Sequence, residues 1–229
     1  MGWKMIYLAR RNPALAPEQF PQAWREHSAL GAGCTNVRDK VLSVMQCSRV
    51  LEGPPLPGAS SDYDGVNLLA LRDLQAATDI WNDAETLAIM RPDEPRVFST
   101  YVREFSLVCR ERVLREAPRS RCCITGFLRR HAGQTREGFQ QAWAAAAAAE
   151  GRTPALADCV RVVHNDVHLE PPPGYDYDGI AEWWFESAEQ ARSAFGGSDI
   201  RSALGPALAA VAALDRSVFM FTQVTHSRP

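Results

Sequence analysis

Residues 5–11 alternate enough to make a strand, and Pro17-Glu18 then supplies an early-helix proline and acid ahead of Phe20, Ala23, Trp24 and His27, which share one helical face. Residues 41–51 and 63–71 are β-branched and half apolar. The Pro/Gly run between them, Gly53-Pro-Pro-Leu-Pro-Gly, cannot stay in a ladder, so the pair predicts a long hairpin. Residues 74–87 then read as helix and 101–113 as a closing strand after the breaks at Pro92 and Pro95. The same order returns downstream: strand 123–131, helix 136–149, strands 158–169 and 178–185, helices 188–195 and 200–214, and strand 217–225.

The return of the order is also a return of residues. MIYLARRNPALAPEQFPQAW (5–24) aligns without a gap on ITGFLRRHAGQTREGFQQAW (124–143), so that Arg10/Arg129, Arg11/Arg130, Phe20/Phe139 and Trp24/Trp143 share the offset 143 − 24 = 119. Tyr63-Asp64-Gly65 and Tyr177-Asp178-Gly179 share the offset 177 − 63 = 114, which places a five-residue shortening in the intervening hairpin, where chain length is best tolerated.

A β-α-β-β-α-β unit is the split βαβ motif, an antiparallel four-stranded sheet with both helices on one face and the other face bare. Strands such as Ile180-Ala-Glu-Trp-Trp-Phe carry large apolar groups on both faces, so the bare face needs cover as well. Two units in one chain can cover each other. The expected fold is therefore α+β, with two tandem ferredoxin-like repeats, residues 1–118 and 119–229, whose antiparallel sheets pack as a pseudo-dimeric α/β barrel.

Composition narrows the field of functions. Lys and Arg number 25 against 27 Asp and Glu, too balanced to draw a polyanion, so no nucleic-acid partner is expected. No apolar run approaches the roughly 20 residues that span a bilayer, and the start of the chain runs straight into a strand; no membrane partner and a cytoplasmic location are expected. Six cysteines without a Cys-x-x-Cys pair read as reduced, buried thiols, with Cys122 and Cys123 on opposite faces of one strand. No Gly-rich phosphate loop, nucleophile elbow or His-Glu-x-x-His helix occurs.

The first half, with its Leu-Ala-Arg-Arg-Asn-Pro strand end, Pro17-Glu-Gln-Phe20, Trp24-Arg-Glu-His27, Tyr63-Asp64-Gly65 and Pro92-Asp93-Glu94, resembles the EthD family of the dimeric α/β-barrel superfamily. The second half keeps Arg129-Arg130, Phe139, Trp143 and Tyr177-Asp178-Gly179-Ile-Ala-Glu-Trp183. The resemblance implies a small cofactor-free protein of the kind found near degradative or biosynthetic gene sets. Related barrels include polyketide cyclases, dehydratases, decarboxylases and monooxygenases, so the fold leaves the reaction open.

Four residues stand out as candidate catalytic groups. His27 should lean from its helix toward the sheet, and a partly enclosed imidazole can move protons near neutrality; the competing expectation is a packing histidine at a helix end. Its counterpart at 27 + 119 = 146 is Ala146, within an alanine run, so any such site exists once per chain. Glu182 lies mid-strand among aromatics, where burial could raise its pKa; its competing role is a paired glutamate. His164 belongs to a strand whose face continues through Asp166 to His168. In a strand, residues four apart are about 13 Å apart, which excludes a shared metal; a solvated strand end is the plainer expectation there, and the polar rim of a pocket the other. Tyr7 is replaced by Gly126 in the second half, an asymmetry that could open or fill a cavity. The Arg10-Arg11 and Arg129-Arg130 pairs are expected to form salt bridges to nearby acids.

These readings converge on a cofactor-independent acid/base enzyme for a small, apolar carbonyl or phenolic metabolite, with no metal or cofactor ligands assigned. His27 would act as acid/base, and Glu182, His164 or Tyr7 would orient or polarise. The alternatives are a non-catalytic module that binds a hydrophobic metabolite or a partner protein, and haem or oxygen chemistry as in related barrels. An enclosed cavity above roughly 300 Å³ holding His27 or His164 would favour catalysis. Pairing of chains into a homodimer is left open.

Overall fold

The computed structural model describes residues 2–228. Eight strands, β1 (Trp3–Ala9), β2 (Val41–Arg49), β3 (Gly65–Leu71), β4 (Ser106–Arg115), β5 (Cys122–Leu128), β6 (Arg161–Val167), β7 (Gly179–Phe185) and β8 (Val218–Arg228), close into one antiparallel barrel in the order β1-β3-β2-β8-β5-β7-β6-β4. Each half contributes four neighbouring strands, β4-β1-β3-β2 and β8-β5-β7-β6, in the arrangement of the split βαβ motif. The expected α+β barrel is the fold that forms.

The two seams are made by overlong strands. After pairing with β5 through Gln223, β8 runs on along β2 until Arg228 lies opposite Val44; in the other seam β4 runs along β6 until Arg115 lies opposite Val162. Each half thus ends as an edge strand of the other, and no edge is left unpaired.

The helices are α1 (Phe20–Gly33), α2 (Thr35–Lys40), α3 (Leu74–Asp79), α4 (Glu94–Val97), α5 (Arg136–Glu150), α6 (Ala188–Phe195), α7 (Ile200–Ala203) and α8 (Gly205–Ala209). They clothe the outside of the barrel, so the core has three parts. Ile6, Leu8, Leu68, Phe127 and Trp184 fill the barrel; Phe20 and Trp24 of α1 pack on the outer face of the first half; Phe139 and Trp143 of α5 do so on the second.

Departures from the sequence pattern lie in the second helical segment of each half. The helix expected over 74–87 stops at Asp79, and the chain resumes as a π-helical turn at Thr86–Met90. The helix expected over 200–214 divides at Gly205, whose φ of 75° lies in the left-handed region that glycine tolerates. A 3₁₀ turn, Val102–Phe105, precedes β4, so that strand starts later than its apolar run suggests.

The repeated motifs meet each other in space. Arg10 lies over the ring of Tyr63, and Arg129 over Tyr177, at 4.2 and 4.4 Å from the centroid. Asp64 accepts from the backbone N–H of Arg11 and pairs with its guanidinium, and Asp178 does the same for Arg130. The glycine after each aspartate lets a tryptophan approach: a Cβ on Gly65 would sit 2.5 Å from Trp24, and one on Gly179 2.4 Å from Trp143. Arg-Arg and Tyr-Asp-Gly are therefore the clasp that docks the first helix of each half on its sheet, and the six cysteines are buried and free as expected.

Replacing Gly65 or Gly179 by alanine should destabilise the protein by about 1–3 kcal/mol through overpacking, whereas Gly151→Ala, where the added Cβ meets nothing closer than 3.5 Å, should be near neutral. Urea titration of the three variants measures this; equal stabilities would remove the tryptophan contact as the reason for these glycines.

Candidate functional site

The outer face of the first half carries a row of polar residues across its strands. The register Tyr7↔Asn67↔Gln46 sets side chains of β1, β3 and β2 side by side, and the next row holds Met5↔Leu69↔Val44↔Arg228. Over these rows lie His27, Ser28 and Gly31 of α1, and Ile80, Trp81, Thr86, Met90 and Glu94 of the segment from the end of α3 to α4. Between floor and roof is a cavity of about 60 Å³, room for about four waters at roughly 10–15 Å³ each. It holds His27 but falls well below the 300 Å³ expected of a ready-made pocket.

Buried polar groups here are left without partners. Gln46, 1 % exposed, donates through Nε2 to the carbonyl of Trp24 at 3.2 Å, which fixes its amide so that Oε1 is the free end; Oε1 has no partner. Asn67 Oδ1 and Thr86 Oγ1 are orphaned as well. Orphaned buried oxygens carry a desolvation cost of about 1–3 kcal/mol each, so their convergence on one cavity calls for a ligand or water. The π-helical turn that brings Thr86 and Met90 to the roof is a form common at functional sites.

His27, 5 % exposed, is oriented by a chain of charges. Its Nδ1 donates to Asp93 Oδ2 at 2.9 Å, and Asp93 is gripped by Arg96 at 2.7 Å. The Arg96 hydrogen bond is the main reason the Asp93 carboxyl lies below its ordinary range, with His27 assisting. An ionised carboxylate can only accept, so Nδ1 carries the proton and Nε2 keeps a lone pair. Among the described residues Nε2 has no partner. Burial lowers the His27 pKa more than Asp93 raises it, so the imidazole is neutral at neutral pH and shaped as a base. Burial also raises Glu94, whose Oε2 accepts from the Val102 N–H at 2.9 Å, and raises Tyr7, with Glu94 adding to the latter. Tyr7 therefore keeps its phenolic proton.

The same places in the second half are filled. The register Gly126↔Ala181↔His164 corresponds to Tyr7↔Asn67↔Gln46, and Trp183 stands where Leu69 does. Trp183 occupies the space above Gly126, where a Cβ would meet its ring at 3.0 Å. Glu150, at 31 + 119, stands where α1 has Gly31, and takes the indole N–H of Trp143 and Trp183 together with His164 Nε2 at 3.2, 2.9 and 3.0 Å. His164 also stacks on Trp143 at 3.7 Å between centroids.

The four candidates thus separate. His27 and Tyr7 share the first-half cavity. His164 is neither a solvated strand end nor a pocket rim: it is fully buried and locked in the packing of the other half. Glu182 lies inside the barrel, where Lys4 Nζ contacts its Oε1 at 2.6 Å, Asn165 donates to the same oxygen at 2.9 Å and Trp184 to Oε2 at 2.9 Å. Burial by itself would raise its pKa; Lys4, with Arg119 and Asn165, outweighs this and holds it below the ordinary value, opposite to the expectation for a carboxylate among aromatics. It is a paired structural charge. Gln46, Asn67, Thr86, Glu94 and Arg228 were not singled out as site residues in the sequence; the signal for two of them was a polar residue between apolar neighbours in mid-strand, Val-Met-Gln46-Cys and Val-Asn67-Leu-Leu.

Comparison with known proteins gives a family match in the first half and a likeness of fold over the whole chain. Residues 12–100, which contain α1, the first Tyr-Asp-Gly motif and Asp93, match the model of the EthD domain. No curated protein matches the chain significantly. Among solved structures it is similar to an anthrone oxidase-like protein, with 15 % identity, a TM-score of 0.64, and 99 % of this chain and 92 % of the other covered. It is also similar to a "Putative monooxygenase" from Fusobacterium nucleatum subsp. nucleatum, with 6 % identity, a TM-score of 0.54 and the same coverage of 99 % and 92 %. At these identities the likeness carries the fold alone. A haem does not fit the first-half cavity as it stands, and the matching face of the second half is filled. No cluster of three or more His, Cys, Asp or Glu side chains is placed to hold a metal among the described residues, and no helix there is long and apolar enough to cross a membrane.

Two measurements check this assignment. Lys4→Met, which strands Glu182 inside the barrel, should cost about 3–5 kcal/mol, while Lys4→Met with Glu182→Leu should recover most of it; a single-variant cost below about 1 kcal/mol in urea titration would contradict a tight buried pair. His27 is harder to protonate folded than unfolded, so its contribution to stability is present above the unfolded pKa of about 6.5 and is lost as pH falls below it. His27→Gln should flatten that part of the stability curve between about pH 7 and 5; an unchanged acid slope would contradict a buried neutral imidazole.

Proposed function

We propose that the first-half cavity is the working site of a cofactor-independent acid/base enzyme acting on a small, apolar carbonyl or phenolic compound. The observation that carries this reading is the convergence of orphaned Gln46 Oε1, Asn67 Oδ1 and Thr86 Oγ1 with a neutral, Asp93-oriented imidazole on one cavity. His27 removes a proton from the ligand through Nε2 and returns it; Asp93 steadies the imidazolium between the two steps. Tyr7, which burial keeps protonated, is a hydrogen-bond donor for a carbonyl oxygen. The apolar walls, Trp24, Leu69, Ile80 and Val102, suit a ring better than a charged chain.

A one-ring ligand needs more than 60 Å³. The reading therefore includes an opening motion at Trp81, which borders both the cavity and an open groove of about 820 Å³ lined also by Tyr101, Arg103 and the 169–173 loop. Met90, flexible and unbranched, is the other roof residue able to yield.

The test is exchange of the α-hydrogens of small ketones in deuterated water, followed by NMR, beside thermal-shift screening with single-ring phenols. The wild-type protein should bind members of one class and speed exchange, and His27→Gln should lower the rate by about 10²–10⁴-fold while leaving binding largely intact. Binding without any rate effect would favour the non-catalytic module. A Soret band on addition of haem would favour haem chemistry, and no binding of either class would end the proposal.

A further inference from the structure

Among the described residues, one cation of the site has no carboxylate paired with it. Arg228 lies at the end of β8, opposite Val44 across the seam, and its side chain lines the cavity beneath α1. Its Nε is buried without a hydrogen-bond partner, and among the described residues no carboxylate pairs with it. His226, two residues earlier in β8, is held down by burial and by the cations Arg25 and Arg228, and burial lowers the pKa of Arg228 itself. The acids of the site are engaged elsewhere: Asp93 with His27 and Arg96, and Glu94 with the Val102 N–H and Arg91.

The register supplies the contrast. Arg115 holds the corresponding place at the end of β4, opposite Val162, and its guanidinium donates to the carbonyls of Leu156 and Cys159. Where the pocket is filled the arginine is satisfied by backbone; where the pocket is open it is not. A guanidinium kept unpaired at a partly desolvated position stabilises whatever negative charge arrives there.

We infer that Arg228, delivered by the second half across the seam, is the anion-binding residue of the first-half site, and that the ligand is a hydroxyl-bearing aromatic or an enolisable ketone held as its phenolate or enolate oxygen. This rests on the acid/base reading above. In the step it serves, the ligand's O–H or α C–H bond breaks, the proton bonds to His27 Nε2, and the electron pair remains on the ligand as an oxyanion facing Arg228. The EthD match, residues 12–100, does not contain Arg228, so the site is complete only with a residue from the other half of the chain.

Spectrophotometric pH titration of a nitrophenol, free and bound to the whole protein, reads this directly, with the methyl ether of the same phenol as a neutral control. In the wild-type protein the bound phenol should ionise about one pH unit lower than the free one, a tenfold preference for phenolate. Arg228→Met should abolish the shift, Arg228→Lys should retain part of it, and the ether should bind wild type and Arg228→Met alike; unfolding midpoints check that each variant is folded. A shift that persists in Arg228→Met overturns the inference and leaves the acid/base reading standing. Failure of both phenol and ether to bind the wild-type protein overturns the reading itself, and the inference with it.

Discussion

A four-stranded sheet with helices on one side has a second apolar face that must be kept from water, and in this chain the two such faces cover each other. Closure follows from that constraint: β8 and β4 overrun their own halves to seal the seams, and no strand edge remains unpaired. Closure in turn packs the interior. Ile6, Leu68, Phe127 and Trp184 fill it, and the charge it encloses, Glu182, is matched by Lys4, Asn165 and Trp184. The cavity that holds His27 lies outside this packed interior, between sheet and helix.

The two outer faces have gone separate ways. Both are built on one plan, with the Arg-Arg and Tyr-Asp-Gly clasp seating a tryptophan-bearing helix over a glycine. In the second half Trp183, His164 and Glu150 then close the space, with Glu150 taking both indole N–H groups and His164 Nε2 while His164 Nδ1 is left without a partner, and the alanine run of α5 carries nothing that could titrate. In the first half the corresponding positions are Leu69, Gln46 and Gly31, which leave both volume and unmatched polarity, and α1 presents His27 to them. One half thus serves as scaffold and, through Arg228, as donor of a single group to the other.

The architecture was legible in the chain because its signals are local and repeated. Strand alternation, the helix-starting prolines and acids, and an ungapped 119-residue offset each follow from the sequence alone. His27 and Tyr7 stood out in the sequence as residues of one half with no counterpart in the other, and both line the first-half cavity. Glu182 and His164 misled because both stand on strands whose two faces are buried, and periodicity cannot say which face is barrel interior and which lies under a helix. Their partners, Lys4 and Glu150, are 178 and 14 residues away. Arg228 was illegible altogether: its place depends on how far β8 overruns β5, a property of barrel closure and of no local pattern.

The central claim is that only the first-half face receives a ligand, and that it does so beside His27. A crystal structure of the protein soaked in a one-ring phenol tests this most directly. The ring is expected under α1, its oxygen within hydrogen-bonding reach of His27 Nε2, with Trp81 or Met90 displaced and no ligand between α5 and its sheet. A ring bound inside the barrel or on the second-half face, or a first-half cavity that stays closed at saturating ligand, would contradict it.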